Sequence, residues 1–128
     1  MKKILIDTDV LINYTNGYSK ELEGLLQDQR NNKAQLFINP VIIGEFCNDK
    51  NLSDKQKASQ TIEFLNLFTV VNVTKETGIL AGELLRKEKI PFLADAFITA
   101  TCVQFNLQLY TNNKKDFKKV KKLKLFTL

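Results

Sequence analysis

The chain has 128 residues, 44% of them hydrophobic and 26% charged, enough for one well-filled core and too few for two, with no low-complexity tract that argues for disorder. It has no histidine, which excludes Ser–His and Cys–His nucleophile pairs and imidazole-based phosphodiester cleavage, and its two distant cysteines do not make a zinc site. The net charge of +5 sits at one end: residues 111–128 hold seven lysines and one aspartate, against twelve basic and thirteen acidic residues before them.

In chain order, Lys3 to Ile6 is a short apolar β-type run, and Val10 to Tyr14 reads as a helix entered through an Asp-Thr-Asp turn, with Asp9 the favoured cap. Ser19 caps a helix whose apolar face is Leu22, Leu25 and Leu26, and Asn31-Asn32 ends it. Leu36 to Asn39 is a second strand, and Asn39-Pro40 opens a helix, because proline is accepted at the first helical position. Ser53-Asp54 caps the next helix, with Ile62 and Leu65 as its apolar residues, before the β-branched strand Val70 to Val73. Thr74 starts a helix that runs to about Lys89 and stops before Pro91. Leu93 to Phe105 reads as a largely buried helix, Leu107 to Tyr110 as a strand, and Lys124 to Phe126 as the last strand. Strands alternating with helices imply an α/β sandwich with a mostly parallel sheet, in a single domain over residues 1–128.

No run approaches the roughly 18 apolar residues of a membrane span, and Met1-Lys2-Lys3 leads into a run broken by Asp7 and Asp9, so neither signal peptide nor anchor is expected. Cys47 and Cys102 lie in apolar segments and are expected to be buried thiols in a reducing cytoplasm.

Three carboxylates stand where core residues belong: Asp7 in ILIDTDVLI, Glu45 in VIIGEFC and Asp95 in PFLADAFITA. Burying an ionised carboxylate costs several kcal/mol unless a partner or a metal compensates it, so three in one small domain call for a shared explanation. Ligands of parallel sheets bind at the carboxyl ends of the strands. Asp7 ends the first strand, Glu45 lies about two turns into the helix after the second, and Asp116 follows the Leu-Tyr-Thr strand end. Asp95, near a helix N-terminus that favours negative charge, joins them if that end faces the same side. Singly, each has another use: Asp7 or Asp9 as a cap, Glu45 as a partner for a lysine, Asp95 as a helix-start residue, Asp116 as a neutraliser of its lysine neighbours. Together, hard oxygen donors suit Mg2+ or Mn2+, which hold a phosphate and acidify water. The lysine run is either a grip on phosphates or a solvated edge.

The segments IDTDVLINY, VIIGEF, LADAFITATC and TNNKKDF resemble, in order and spacing, the motifs of PIN-domain ribonucleases, above all the VapC-type toxins of toxin–antitoxin pairs. The resemblance runs from about residue 4 to residue 117. It implies a three-layer α/β/α sandwich with a central sheet of about five strands, and an acidic quartet of Asp7, Glu45, Asp95 and Asp116 that holds Mg2+ or Mn2+. Thr8, Thr111 and Asn113 match polar positions beside the acids and would support them or touch phosphate. Asp9 stands where the family often has Asn or Ser, and would tighten metal binding or only cap the helix. The implied activity is endonucleolytic cleavage of RNA that leaves 5′-phosphate and 3′-hydroxyl ends and inhibits translation. The implied partners are RNA, a cognate antitoxin in the active-site groove and a second copy of the chain.

Three other readings compete. Ile-Asp-Thr-Asp-Val resembles the Asp-x-Asp motif of haloacid dehalogenase-type phosphatases, with Asp7 as nucleophile and Asp9 as acid/base, but Asp95 has no paired acid for that motif. A receiver domain needs an aspartate ending its middle strand, where this chain has Thr-Val-Val-Asn-Val. A non-catalytic RNA-binding module would use the lysine run alone.

Overall fold

The computed structural model describes residues 1–17 and 19–127. At its centre lies a five-stranded sheet of β1 (Lys2–Ile6), β2 (Ala34–Ile38), β3 (Thr69–Val70), β4 (Gln108–Tyr110) and β5 (Lys124–Leu125) in the order β3-β2-β1-β4-β5, every pair parallel. Ile4, Leu5 and Ile6 of β1 are all fully buried. A strand apolar on successive residues must be covered on both faces, so β1 is the middle strand of the expected three-layer sandwich. Parallel neighbours need crossovers, here α1 (Thr8–Thr15) and α2 (Lys20–Arg30), α3 (Pro40–Phe46) and α4 (Lys55–Leu65), α5 (Lys75–Lys87) and α6 (Leu93–Phe105), and the short α7 (Lys114–Phe117).

Side-chain caps start three helices as their residue types predict, whereas Asp54, expected to cap α4, makes no side-chain cap bond. Ser19 accepts from the Leu22 amide, Asn39 from the Ile42 amide, and Thr74 and Thr77 bond reciprocally at the start of α5. Asn106, left-handed at φ 55°, ends α6 and returns the chain into β4. A main core surrounds the sheet, and a second cluster joins α5 to α6 through Ala81, Leu84, Ala96 and Ala100. Among the described residues no helix is long and apolar enough to cross a membrane.

Away from the acids, the structure departs from the sequence reading in the following ways. The strand expected over Val70 to Val73 is only Thr69–Val70, because its one neighbour, β2, gives way to α3 at Asn39. Ile62 is 60% exposed, since α4 turns Ala58, Thr61, Phe64 and Leu65 inward and Ile62 falls off that face. The lysine-rich segment contains α7, anchored by Phe117 in the main core and Val120 in the second cluster.

Strand order reverses beside β1, which has β2 on one side and β4 on the other. The carboxyl ends of β1 and β4 therefore flank a switch point, the place in an open parallel sheet where a crevice forms.

Candidate active site

Asp7 is the first residue beyond β1. Its amide donates to the Tyr110 carbonyl at the end of β4 (2.9 Å), so the strand pairing continues onto the residue itself. Its backbone is extended, and Asp7, not Asp9, is the N-cap of α1: Oδ1 accepts from the Thr8 amide at 2.8 Å. The other oxygen, Oδ2, accepts from the Thr111 hydroxyl at 2.8 Å, and that hydroxyl accepts from the Asn113 amide at 3.0 Å. Asp7 is only 7% exposed, and Thr111 1%. Asp9, already inside the helix, takes the Asn112 amide on its two oxygens at 3.2 and 3.4 Å. One carboxylate thus caps a helix and faces the crevice, while its neighbour ties that helix to the loop after β4.

The other acids come from elements that end at the same edge. Glu45 on α3 accepts from the Thr8 hydroxyl at 2.7 Å, and Asp116 on α7 accepts from the Asn113 side-chain amide at 2.8 Å. Asp95 sits in the first turn of α6. Only Asp7 is truly buried; Asp95 and Asp116 are half-buried and Glu45 is exposed. The expectation of three buried carboxylates is corrected: α3 turns Ile42 inward and presents Glu45 at its rim.

The alignment of α3 with α6 depends on a residue that the sequence singled out only as a cap. Asn39, fully buried, holds the Ile42 amide at 2.9 Å and donates to the Thr101 hydroxyl of α6 at 3.0 Å, which itself donates to the Phe97 carbonyl at 2.8 Å. Its signal was the Asn-Pro pair, which places it at the carboxyl end of β2, as Asp7 stands at the end of β1.

Burial pushes the Asp7 carboxyl from an ordinary 3.8 up to about 7, Asp9 and Asp95 add to the rise, and the Thr111 and Thr8 hydrogen bonds oppose it. Asp9 is raised by burial, against the Asn112 and Val10 amides and the Thr111 hydroxyl, with Glu45 adding repulsion. Asp95 is raised by burial and then by Glu45, Asp116 and Asp9. Five carboxylates therefore feel one another, so Asp9 joins the expected quartet electrostatically. Among the described residues the ion pairs are Arg30–Glu23 and Lys87–Glu83, and none involves these five acids. Nor do any three acidic or cysteine side chains stand close enough to form a ready-made cage for an ion. Mutually repelling oxygen donors without a basic partner fit a hard divalent cation bound through one or two carboxylates and water, which is how Mg2+ is usually held.

A groove of about 840 Å3 lies between α1, α3 and α4, with Glu45, Ile12, Phe46, Leu52 and Phe64 in its wall. Cys102 is buried, which pushes its thiol above the usual range, with the Asp7 charge adding; Cys47 is half-buried, and both are free.

A family model of the PIN domain matches residues 4–123. The chain is 31% identical over 127 residues to Ribonuclease VapC1 of Methanocaldococcus jannaschii, spanning 96% of this chain and 85% of that one. It is 26% identical over 134 residues to Ribonuclease VapC of Rickettsia bellii, spanning 98% and 96%. Among solved structures it is similar to a toxin–antitoxin complex from Klebsiella pneumoniae, with a TM-score of 0.75 and 25% identity over 94% of each chain.

Proposed function

The chain belongs to the PIN-domain family, and from that premise we propose that it is a divalent-metal-dependent endoribonuclease, the toxin of a toxin–antitoxin pair, acting in the cytoplasm to block translation. The observation that carries this reading is the buried Asp7 carboxylate at the switch point, fixed by Thr111, acted on by the charges of Asp9 and Asp95, which in turn feel Glu45 and Asp116, with no ion pair to any of the five among the described residues. It replaces the phosphatase and receiver readings, neither of which gives Glu45 and Asp116 a task.

Asp7 and Asp95 would hold Mg2+ or Mn2+, with Glu45 and Asp116 completing the site or orienting water. Such an ion, when bound, supplies positive charge against the phosphate and makes water more acidic. The chain's own part is orientation. Thr111 and the Thr8 amide fix both Asp7 oxygens, the Thr8 hydroxyl aims Glu45, and Asn113 aims Asp116. Glu45, exposed and held by Thr8 through one oxygen, presents its other oxygen to orient attacking water. Lys114 and Lys115, exposed beside Asp116, draw the RNA backbone toward the acids. In-line attack on phosphorus would leave 5′-phosphate and 3′-hydroxyl ends.

The antitoxin would lay an apolar segment in the groove of Ile12, Phe46, Leu52 and Phe64, where cover over the aromatic wall also reaches Glu45. The active form would be a homodimer.

The test is cleavage of RNA with Mg2+ or Mn2+, with and without a chelator, by the wild type and by Asp7→Asn and Asp95→Asn. The chelator should abolish cutting. Each variant should lose more than the roughly 10- to 100-fold that removal of an outer metal partner costs. Folded variants with full metal-dependent activity would sink the assignment, and salt-sensitive RNA binding without metal dependence or cleavage would favour the binding module.

A further inference from the structure

The edge of the sheet opposite the acids carries its own concentrated charge. A hollow of about 740 Å3 opens there, lined by Lys2, Lys3, Lys33, Asn106, Gln108 and Lys124 with no acidic residue in its wall. These lysines come together through strand register. Lys2 opens β1, Lys33 directly precedes β2, and Lys124 opens β5 opposite Gln108, which is itself opposite Ile4. All four lysines are exposed, and none is in an ion pair among the described residues.

The hollow is joined to the acidic edge by the chain itself. β5 is parallel to β4, so the segment between them must travel from the carboxyl edge back to the amino edge. It sets out at Lys114 and Lys115 beside Asp116, passes the exposed Lys118, Lys119, Lys121 and Lys122, and arrives at Lys124. Phe117 and Val120 are its buried anchors and turn the lysines outward. Lys119 and Lys122 are the least available: the Lys119 ammonium donates to the Lys89 carbonyl at 3.4 Å, and the charge of Lys122 acts on Glu83 of α5.

We infer that this segment and the amino-edge hollow form one continuous track for the phosphate backbone of RNA, so that a substrate cut at the acidic edge is also held on the far side of the sheet. The inference rests on the endoribonuclease reading for what the acids do. A polymer with a phosphate at every step suits a line of lysines ending in a basic hollow with two side-chain amides, and a short acidic peptide would fill only part of it. Five residues of strand put Lys2 about 17 Å from Asp7, on the order of five steps of a stacked nucleic-acid strand even in a straight line. An oligonucleotide shorter than about five nucleotides cannot reach both ends.

The experiment combines Lys2→Gln, Lys33→Gln and Lys124→Gln in one chain, with a second chain carrying Lys55→Gln and Lys75→Gln, exposed lysines off the track and outside the groove at Glu45, as control. Binding of bulk transfer RNA is followed by fluorescence anisotropy across a salt series in chelator, and cleavage of a short oligonucleotide is followed with Mn2+. The track variant should bind transfer RNA at least tenfold more weakly, with its log–log salt slope reduced by about 2 to 3. Its cleavage of the short oligonucleotide, and the control chain's binding, should be unchanged. An unchanged affinity and slope in the track variant would overturn the inference, as would an equal loss in short-oligonucleotide cleavage, which would mean damage to the site. Failure of the nuclease reading looks different: the wild type then cuts no RNA, whatever the three lysines do to binding.

Discussion

Replacing Asp7 by asparagine should make the metal-free protein more stable while removing its activity. The Asp7 carboxyl holds its proton to about pH 7 in the folded chain and releases it near 3.8 when unfolded. Between those values the folded state binds more protons, so each unit of rising pH removes about 1.4 kcal/mol of stability. The loss begins near pH 4, is complete above about 7, and amounts to roughly 4 kcal/mol. Asparagine carries no such charge. It keeps an oxygen for the Thr8 amide but cannot accept from the Thr111 hydroxyl, a change that costs about 1 kcal/mol. At pH 8 without divalent ions, Asp7→Asn should therefore gain about 2 to 3 kcal/mol, or on the order of 10 °C in Tm for a domain of this size. At pH 4 the gain should vanish or reverse. Saturating Mn2+ at 100 times its Kd should restore about 2.7 kcal/mol to the wild type and little to the variant. Thermal unfolding at pH 4 and 8, with chelator and with Mn2+, reads all four values. A variant no more stable than wild type at pH 8, or a gain independent of pH, would refute the reasoning.

Thr111→Val keeps shape but leaves Asp7 without its second hydrogen bond, and should lower Mn2+ affinity about 10- to 100-fold in a folded protein, as calorimetric titration would show. Asn39→Ala removes the cap of α3 and its link to Thr101 together, and should cost about 2 kcal/mol in urea unfolding and reduce cleavage by displacing Glu45. The Thr99 hydroxyl is buried without a partner, so Thr99→Val should stabilise the fold by about 1 kcal/mol and leave cleavage unchanged.

The helices that announced themselves carry local instructions: Ser19, Asn39-Pro40 and Thr74 cap where such residues cap, and the apolar spacing of Leu22, Leu25 and Leu26 becomes a buried face. What the residues did not disclose depends on neighbours distant in sequence. The length of β3 is decided by where β2 ends, and α7 hides in a lysine-rich composition because only Phe117 and Val120 mark its buried side. The candidate site divides in the same way. Asp7 was legible because a carboxylate directly after three core residues needs a reason. Glu45 looked equally buried, but in a seven-residue helix apolar on most sides only tertiary packing decides which side meets water. That Asp7 rather than Asp9 would cap α1 depended on where β1 releases the chain, and the grip of Asn112 on Asp9 spans 103 residues.

That separation in sequence bears on when the protein can act. Asp7 is made 104 residues before Thr111, which fixes it, and β4, whose Tyr110 carbonyl takes the Asp7 amide, comes just before Thr111. At about 5 to 20 residues per second, Asp7 waits about 5 to 20 seconds for the strand that completes its surroundings. No nascent chain that stops short of β4 contains the crevice. An enzyme directed against RNA is thereby withheld from the message and the ribosome making it until β4 has joined the sheet.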